Sequence, residues 1–245
     1  CAVFCGGQPV FSLSDVAFSV KDRVILNGVA FDILKGSRTV LFGENGCGKT
    51  TLLRLISRLE KPTRGVILQN ISGKFGQKGK QSKKWYKKVG VVYQNPDYQL
   101  FMPTVEKEIK FGAKSDEYAD EIAEKFGVKH LYVRHPQSLS EGQKRRVSIA
   151  AVVATAPEVL ILDEPTVGQD YKGLCEMTEV LNRIHEETKN TMITVTHDKR
   201  CAAALCDRAV WIKDGKVRKT GGKELAEEFF KDPTGNAKKL ASDNF

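Results

Sequence analysis

Residues 43–50 read Gly-Glu-Asn-Gly-Cys-Gly-Lys-Thr, and no other stretch restricts the fold of this chain so strongly. The apolar run Thr39-Val-Leu-Phe precedes it, and Lys49-Thr-Thr-Leu-Leu-Arg-Leu-Ile follows with apolar residues at helical spacing. Strand, glycine-rich loop and helix in that order make a phosphate cradle. Gly43, Gly46 and Gly48 let the backbone turn so tightly that successive N–H groups point inward, and Asn45, Cys47 and Thr51 ride on the same loop and first turn. The Lys49 ammonium reaches β- and γ-phosphates, and the Thr50 hydroxyl is placed to bind Mg²⁺. The positive end of the helix dipole faces the same anion. The expected ligand is a nucleoside triphosphate with its Mg²⁺.

Further down the chain, Val159-Leu-Ile-Leu is an apolar strand ending in two adjacent acids, Asp163 and Glu164. A buried strand tolerates carboxylates only with a partner, and Mg²⁺ would supply one. Asp163 would then hold the metal through its water shell, and Glu164 would polarise the water attacking the γ-phosphate. A solvated strand end would carry the same two acids. Gln94 closes the apolar run 89–93 and His197 closes 191–196. Each is a polar strand cap on the plain reading. On the functional one, Gln94 touches metal and attacking water, and His197 bonds the γ-phosphate. Ligands of open α/β sheets bind beyond the carboxyl ends of strands, where all these residues fall.

Leu139-Ser-Glu-Gly-Gln143 opens a helix running through Val147–Val153. Ser140 at the N-cap with Gln143 at N3 is a capping box. The same geometry, a serine hydroxyl and a bare Gly142 amide at a helix start, also makes an anion site.

The net charge of +9 is uneven, because Lys74, Lys78, Lys80, Lys83, Lys84, Lys87 and Lys88 fall in one stretch without an acid and the remainder is nearly balanced. Phe75, Trp85 and Tyr86 interleave with the lysines, a superficial nucleic-acid signature. The Gly, Gln and Ser around them favour a solvated loop, with anionic lipid head groups as a secondary contact. No apolar run approaches the ~20 residues of a membrane span, and the N-terminus lacks a signal peptide. The sequence begins without methionine and reads as cut from a longer chain. Six cysteines (Cys1, Cys5, Cys47, Cys175, Cys201, Cys206) show no C-x-x-C spacing, so a reducing compartment fits better than zinc or a disulfide framework. Cys47, among phosphate-facing amides, is expected to favour the thiolate, and its alkylation to block nucleotide binding.

Short strands are expected at Phe11–Phe18, Val24–Leu26, Val29–Ile33, 65–69, 89–93, 159–162 and 191–195. A helical pattern covers 104–154, with Ser115 capping one segment, and another helix lies around Leu174–Ile184. Such alternation means a parallel sheet with flanking helices. The expected fold is one α/β domain over 11–231: a core at 11–93 and 155–231, a helical subdomain at 94–154, and a tail at 232–245.

With these motifs in hand, the chain resembles the ATPase subunits of ATP-binding cassette (ABC) transporters over roughly 11–221. Gly43–Thr50 matches the Walker A motif, Gln94 the Q-loop, Leu139–Gln143 the signature, Val159–Glu164 Walker B, 167–170 with Asp170 the D-loop, and His197 the switch histidine. Gln94-Asn-Pro-Asp-Tyr-Gln-Leu-Phe101 with 142–146 is similar to energy-coupling-factor and cobalt-type importers of vitamins and metal ions. The resemblance implies a RecA-like P-loop NTPase core with an antiparallel β subdomain and an inserted helical subdomain. It implies ATP hydrolysis with Mg²⁺ held by Thr50, Gln94 and Asp163, and Glu164, His197 and Gln94 as the catalytic group. Ser140, Gly142 and Gln143 would act in trans on the ATP of a second ABC ATPase domain. The Pro96–Phe101 segment would meet a transmembrane coupling subunit at the cytoplasmic face of the membrane, and nucleic acid is not an expected partner; the competing reading, which the lysine-rich stretch supports, is a soluble ABC-type ATPase acting on nucleic acid or the ribosome. Three positions depart from the pattern. Val20 stands where a base-stacking aromatic is expected, so stacking is weakened or passes to Phe18; Gln169 stands for the D-loop leucine, and Glu141 for a signature glycine. These departures fit one half of a tandem or heterodimeric pair.

Overall fold

The computed structural model describes residues 7–71 and 87–231. The lysine-rich stretch through Tyr86, Cys1 and Cys5, and the tail 232–245 lie outside the described residues.

Two sheets carry the fold. The first is antiparallel, ordered β2 (Arg23–Leu34), β1 (Pro9–Val20), β4 (Arg64–Gln69). The second has the order β5 (Val89–Val92), β6 (Val159–Asp163), β7 (Thr191–Val195), β3 (Arg38–Phe42), β8 (Arg208–Lys213), β9 (Lys216–Gly221). Its first five strands run parallel, and only the β8–β9 edge hairpin is antiparallel. The helices are α1 (Lys49–Ile56), α2 (Val105–Lys110), α3 (Asp116–Lys125), α4 (Glu141–Ala154), α5 (Tyr171–Thr188), α6 (Lys199–Leu205) and α7 (Lys223–Lys231). None among the described residues is long and apolar enough to cross a membrane.

β6 shows why the central strands are apolar throughout. Leu160 and Leu162 pack with α2–α5 on one face, while Val159 and Ile161 pack beneath the antiparallel sheet and α1 on the other. Burial on both faces removes the alternation that a half-solvated strand would show. A third cluster seals the far end, where Phe229 of α7 stacks on Phe42 and Trp211.

Several expected boundaries shift. The strands at Val24–Leu26 and Val29–Ile33 are one strand, β2. Its pairing with β1 slips between Val16↔Val29 and Phe18↔Leu26, and Gly28 at φ +71 absorbs the extra residue as a bulge. The helical pattern of 104–154 is three helices with two short 3₁₀ turns, interrupted after α2 and α3 at Gly112 and Gly127, both at positive φ. The helix around Leu174–Ile184 extends to Tyr171–Thr188, because Asp170 caps its start. The elements from α6 through α7 carried no expectation. Asp214-Gly215 makes the tight turn of the β8–β9 hairpin with φ 50 and 70, the Asp-Gly signal of a type I′ turn.

Candidate functional site

The parallel order β5–β6–β7–β3 brings four strand ends to one edge of the sheet. There the chain emerges as Gln94, Asp163-Glu164, His197 and the loop 43–48. A cleft of about 690 Å³ opens at this edge, lined by residues 44–51, Gln94 and Glu164, and on its outer side by Arg23, Val24, Ile25, Asp214 and Gly215.

The loop needs its glycines for different reasons. A Cβ on Gly43 would stand 2.1 Å from the Ile212 carbonyl oxygen, and one on Gly48 would stand 2.6 Å from Leu26 Cδ2. Gly48, at φ +101, also begins α1 without a side-chain cap, so the first amides of the helix are left for a ligand. The buried Lys49 ammonium donates to the Gly43 and Glu44 carbonyls, both at 2.8 Å. Its charge is thus stored at the mouth of the cradle.

Cys47 departs from expectation. Its thiol pKa is raised, because burial outweighs the Lys49 charge and the backbone hydrogen bonds that favour thiolate. Its side chain is packed with the core beneath the loop, with Sγ 3.9 Å from Lys49 Nζ.

Asp163 is buried, and its Oδ1 has no hydrogen-bond partner. Desolvation first, then the adjacent Glu164 charge, push its carboxyl up to about 6 against the pull of Thr50, Arg145 and Lys49. An orphaned carboxylate oxygen beside a hydroxyl is a donor set that fits a hard divalent cation such as Mg²⁺. Asp163 and Thr50 also line the adjoining groove, together with Gln94.

Glu164 sits at φ 52, an uncommon backbone for a residue with a side chain. Its N–H donates to the Val195 carbonyl at 2.9 Å, which pins the strained position to β7. The carboxylate is gripped at both oxygens: Oε1 lies 2.8 Å from His197 Nδ1, and Oε2 accepts the His197 N–H at 3.3 Å. The His197 ring remains mostly exposed, so it is free to reach a ligand. Gln94 is exposed on the opposite wall, its carbonyl fixed by the guanidinium of Arg145, which also donates to the Tyr93 carbonyl at 2.7 Å.

Ser140, Gly142 and Gln143 do not line this cleft. The capping box forms as read: the Ser140 hydroxyl accepts from Gln143 N–H at 3.3 Å, and Ser140 N–H donates to Gln143 Oε1 at 3.1 Å. The hydroxyl proton of Ser140 is left to donate outward. Asp170 caps α5 through Gly173 N–H at 2.7 Å. Glu141 extends into solvent with Lys144 Nζ 3.6 Å away.

Neither Phe18 nor Val20 lines the cleft: Phe18 is partly buried against the core under the antiparallel sheet, and Val20 is exposed at the end of β1. Arg23, Val24 and Ile25 take the place beside the cleft instead. Nothing in their spacing marked them; they arrive there through the β1–β2 hairpin.

The ABC transporter family model matches residues 26–167, more than half of the chain. This chain belongs to the ABC transporter family. Its ATPase is similar to the energy-coupling factor transporter ATP-binding protein EcfA2 of Enterococcus faecalis, with 41% identity over 205 residues, 77% of this chain and 69% of that protein. A putative HMP/thiamine import ATP-binding protein of Bacillus subtilis, YkoD, is 36% identical over 85% of the chain, which spans only 38% of that relative. Among solved structures, CbiO1 of Clostridium perfringens, part of the transporter complex CbiONQ, superposes with a TM-score of 0.77 at 31% identity, covering 92% of each chain. The ATP-binding cassette MJ0796, solved as a dimer in a post-hydrolysis state with ADP and Pi, gives a TM-score of 0.75 at 26% identity over 87% of this chain and 98% of its own. The chain is therefore an ABC ATPase with the α/β cassette fold of that family.

Proposed function

We propose that this chain is the ATP-hydrolysing subunit of an energy-coupling-factor-type importer, working as one of two cassettes that close on ATP at the cytoplasmic face of a membrane. The observation that carries the catalytic part is the Glu164 carboxylate, strained, held by His197 and facing the same cleft as the Lys49 loop. The importer assignment draws on the likeness to EcfA2 and CbiO1.

In this reading the phosphates of ATP enter the cradle and draw Lys49 off the Gly43 and Glu44 carbonyls. Asn45, Gly46, Cys47, Gly48, Thr50 and Thr51 supply backbone and hydroxyl donors around them. Thr50, Asp163 and Gln94 would hold Mg²⁺, which would supply positive charge to offset that of the β- and γ-phosphates. Glu164 accepts a hydrogen bond from the attacking water and orients it in line with the γ-phosphate. His197 holds that carboxylate in place and turns its exposed ring toward the phosphate. The products are ADP, phosphate and a proton. Ser140, Gly142 and Gln143 face outward to complete the nucleotide site of the partner cassette, with Asp170 beside them.

A groove of about 600 Å³ runs between Leu53, Arg54 and Leu59 on one side and Tyr93, Asn95 and Tyr98 on the other. Tyr98 is 83% exposed and Leu59 50%. Solvent-facing apolar groups at a cleft between helix and loop suit a helix of the transmembrane coupling subunit.

Comparing Glu164→Gln with wild type tests the catalytic core. The variant is expected to bind ATP and lose turnover by about 10²-fold or more, accumulating an ATP-bound dimer in light scattering. Undiminished turnover would remove Glu164 from the mechanism.

A further inference from the structure

Gln169 occupies the D-loop position where the resemblance expects leucine, and its amide has a built seat. Nε2 donates to the Gly142 carbonyl at 2.9 Å, in the first turn of α4. A Cβ at position 142 would lie 3.1 Å from that nitrogen, and one at position 173 would lie 2.5 Å from Gln169 Oε1. The amide therefore fits between a glycine of α4 and a glycine of α5, where side chains would expel it. Gly168, at φ +79, makes the turn that directs the residue back to α4. The Arg146–Glu176 ion pair at 2.7 Å fastens the same two helices a turn further on. A carbonyl oxygen has two lone pairs, so the Gly142 oxygen takes this N–H without giving up a helical partner. Leucine would fill the space and donate nothing.

We infer that Gln169 is a positioning residue that joins the signature end of α4 and the loop 167–170 into one unit. The inference rests on the reading of Ser140–Gln143 as acting on the partner's ATP. Both segments are outward-facing, and both must be ordered when two cassettes close. Independent segments lose conformational freedom separately at each closure, whereas a linked pair arrives already ordered. The link therefore acts on the closed, reacting state and leaves this chain's own phosphate cradle alone.

The test uses the membrane complex captured through a tag on this chain, assayed for ATP turnover as wild type, Ser140→Ala, Gln169→Leu and Gly173→Ala. Gln169→Leu is expected to lower kcat about three- to tenfold, the ratio set by one net hydrogen bond, with KM for ATP moving less than about twofold. Gly173→Ala, whose methyl would press on Gln169 Oε1 and also on Asp170 Oδ1, the cap of α5, is expected to lower kcat at least as much. The melting temperature and ATP affinity of the isolated chain should not move in Gln169→Leu. If Ser140→Ala slows turnover and Gln169→Leu does not, the inference fails while the reading of the signature stands. If Ser140→Ala has no effect, that reading falls and takes the inference with it. A slower Gln169→Leu that also melts earlier or binds ATP more weakly makes Gln169 an ordinary packing residue, which overturns the proposal as well.

Discussion

A buried carboxyl with one oxygen left unpartnered costs free energy in the empty protein, and Asp163 is such a group. Its carboxyl is raised to about 6 from the ordinary 3.8, so the folded state holds its proton more tightly than the unfolded one. The charged form is the unfavourable one: stability from this residue is full below the unfolded value and is lost as pH rises through about 6. Asp163→Asn should therefore raise the melting temperature of the nucleotide-free chain by about 2–4 °C at pH 8, and the gain should shrink as pH falls through 6. A variant that melts earlier than wild type at pH 8 would contradict the assignment. Cys47 follows from the same physics with the opposite practical result. Its raised pKa leaves little thiolate near neutrality, whereas Cys175 is exposed. At pH 7.5 an alkylating reagent should modify Cys175 at least about tenfold faster than Cys47, read by mass spectrometry of the separate peptides; comparable rates would restore the activated thiol. The glycines and Lys49 were legible in the sequence because their chemistry is local. The state of Cys47 was not, because residues distant in sequence set its burial.

The junction between β5 and α4 leaves no room for a side chain. A Cβ on Gly90 would stand 2.4 Å from Val152 Cγ1 and 3.1 Å from Pro157 Cγ. Gly90→Val should cost about 1–3 kcal/mol in urea denaturation, and a neutral result would mean that α4 moves freely against the sheet. Arg145 of α4 also holds the Tyr93 and Gln94 carbonyls, so a displaced helix would drag the Gln94 loop with it. At this scale the sequence was readable where burial is two-sided: β5, β6 and β7 announce themselves as apolar runs. It was less readable where irregularity intervenes. The bulge at Gly28 made β2 look like two strands, and Gly112 and Gly127 divide what read as one helical stretch. The β8–β9 hairpin went unread although Asp214-Gly215 follows the apolar run 209–212, since β9 is too exposed to show a strong pattern.

Across the whole molecule, strand order and chain order disagree. The strand leading into the phosphate loop, β3, pairs with β7 on one side and β8 on the other, and these span residues 191–195 and 208–213. The first antiparallel sheet needs only residues 9–69. A chain ended at residue 190 should therefore bind no ATP in a fluorescent-nucleotide titration that the full chain saturates. Retained binding would mean that the loop is shaped by its own sequence. The topology also sets a timetable on the ribosome. At about 5–20 residues per second, the interval between the emergence of Lys49 and of β8 is about 10–30 s. Throughout it the glycine loop has left the tunnel with its neighbouring strands still unmade. The nascent chain thus passes through a cytosol rich in nucleotides without a formed grip on them, and it gains that grip only when the strand bearing Ile212 closes over Gly43.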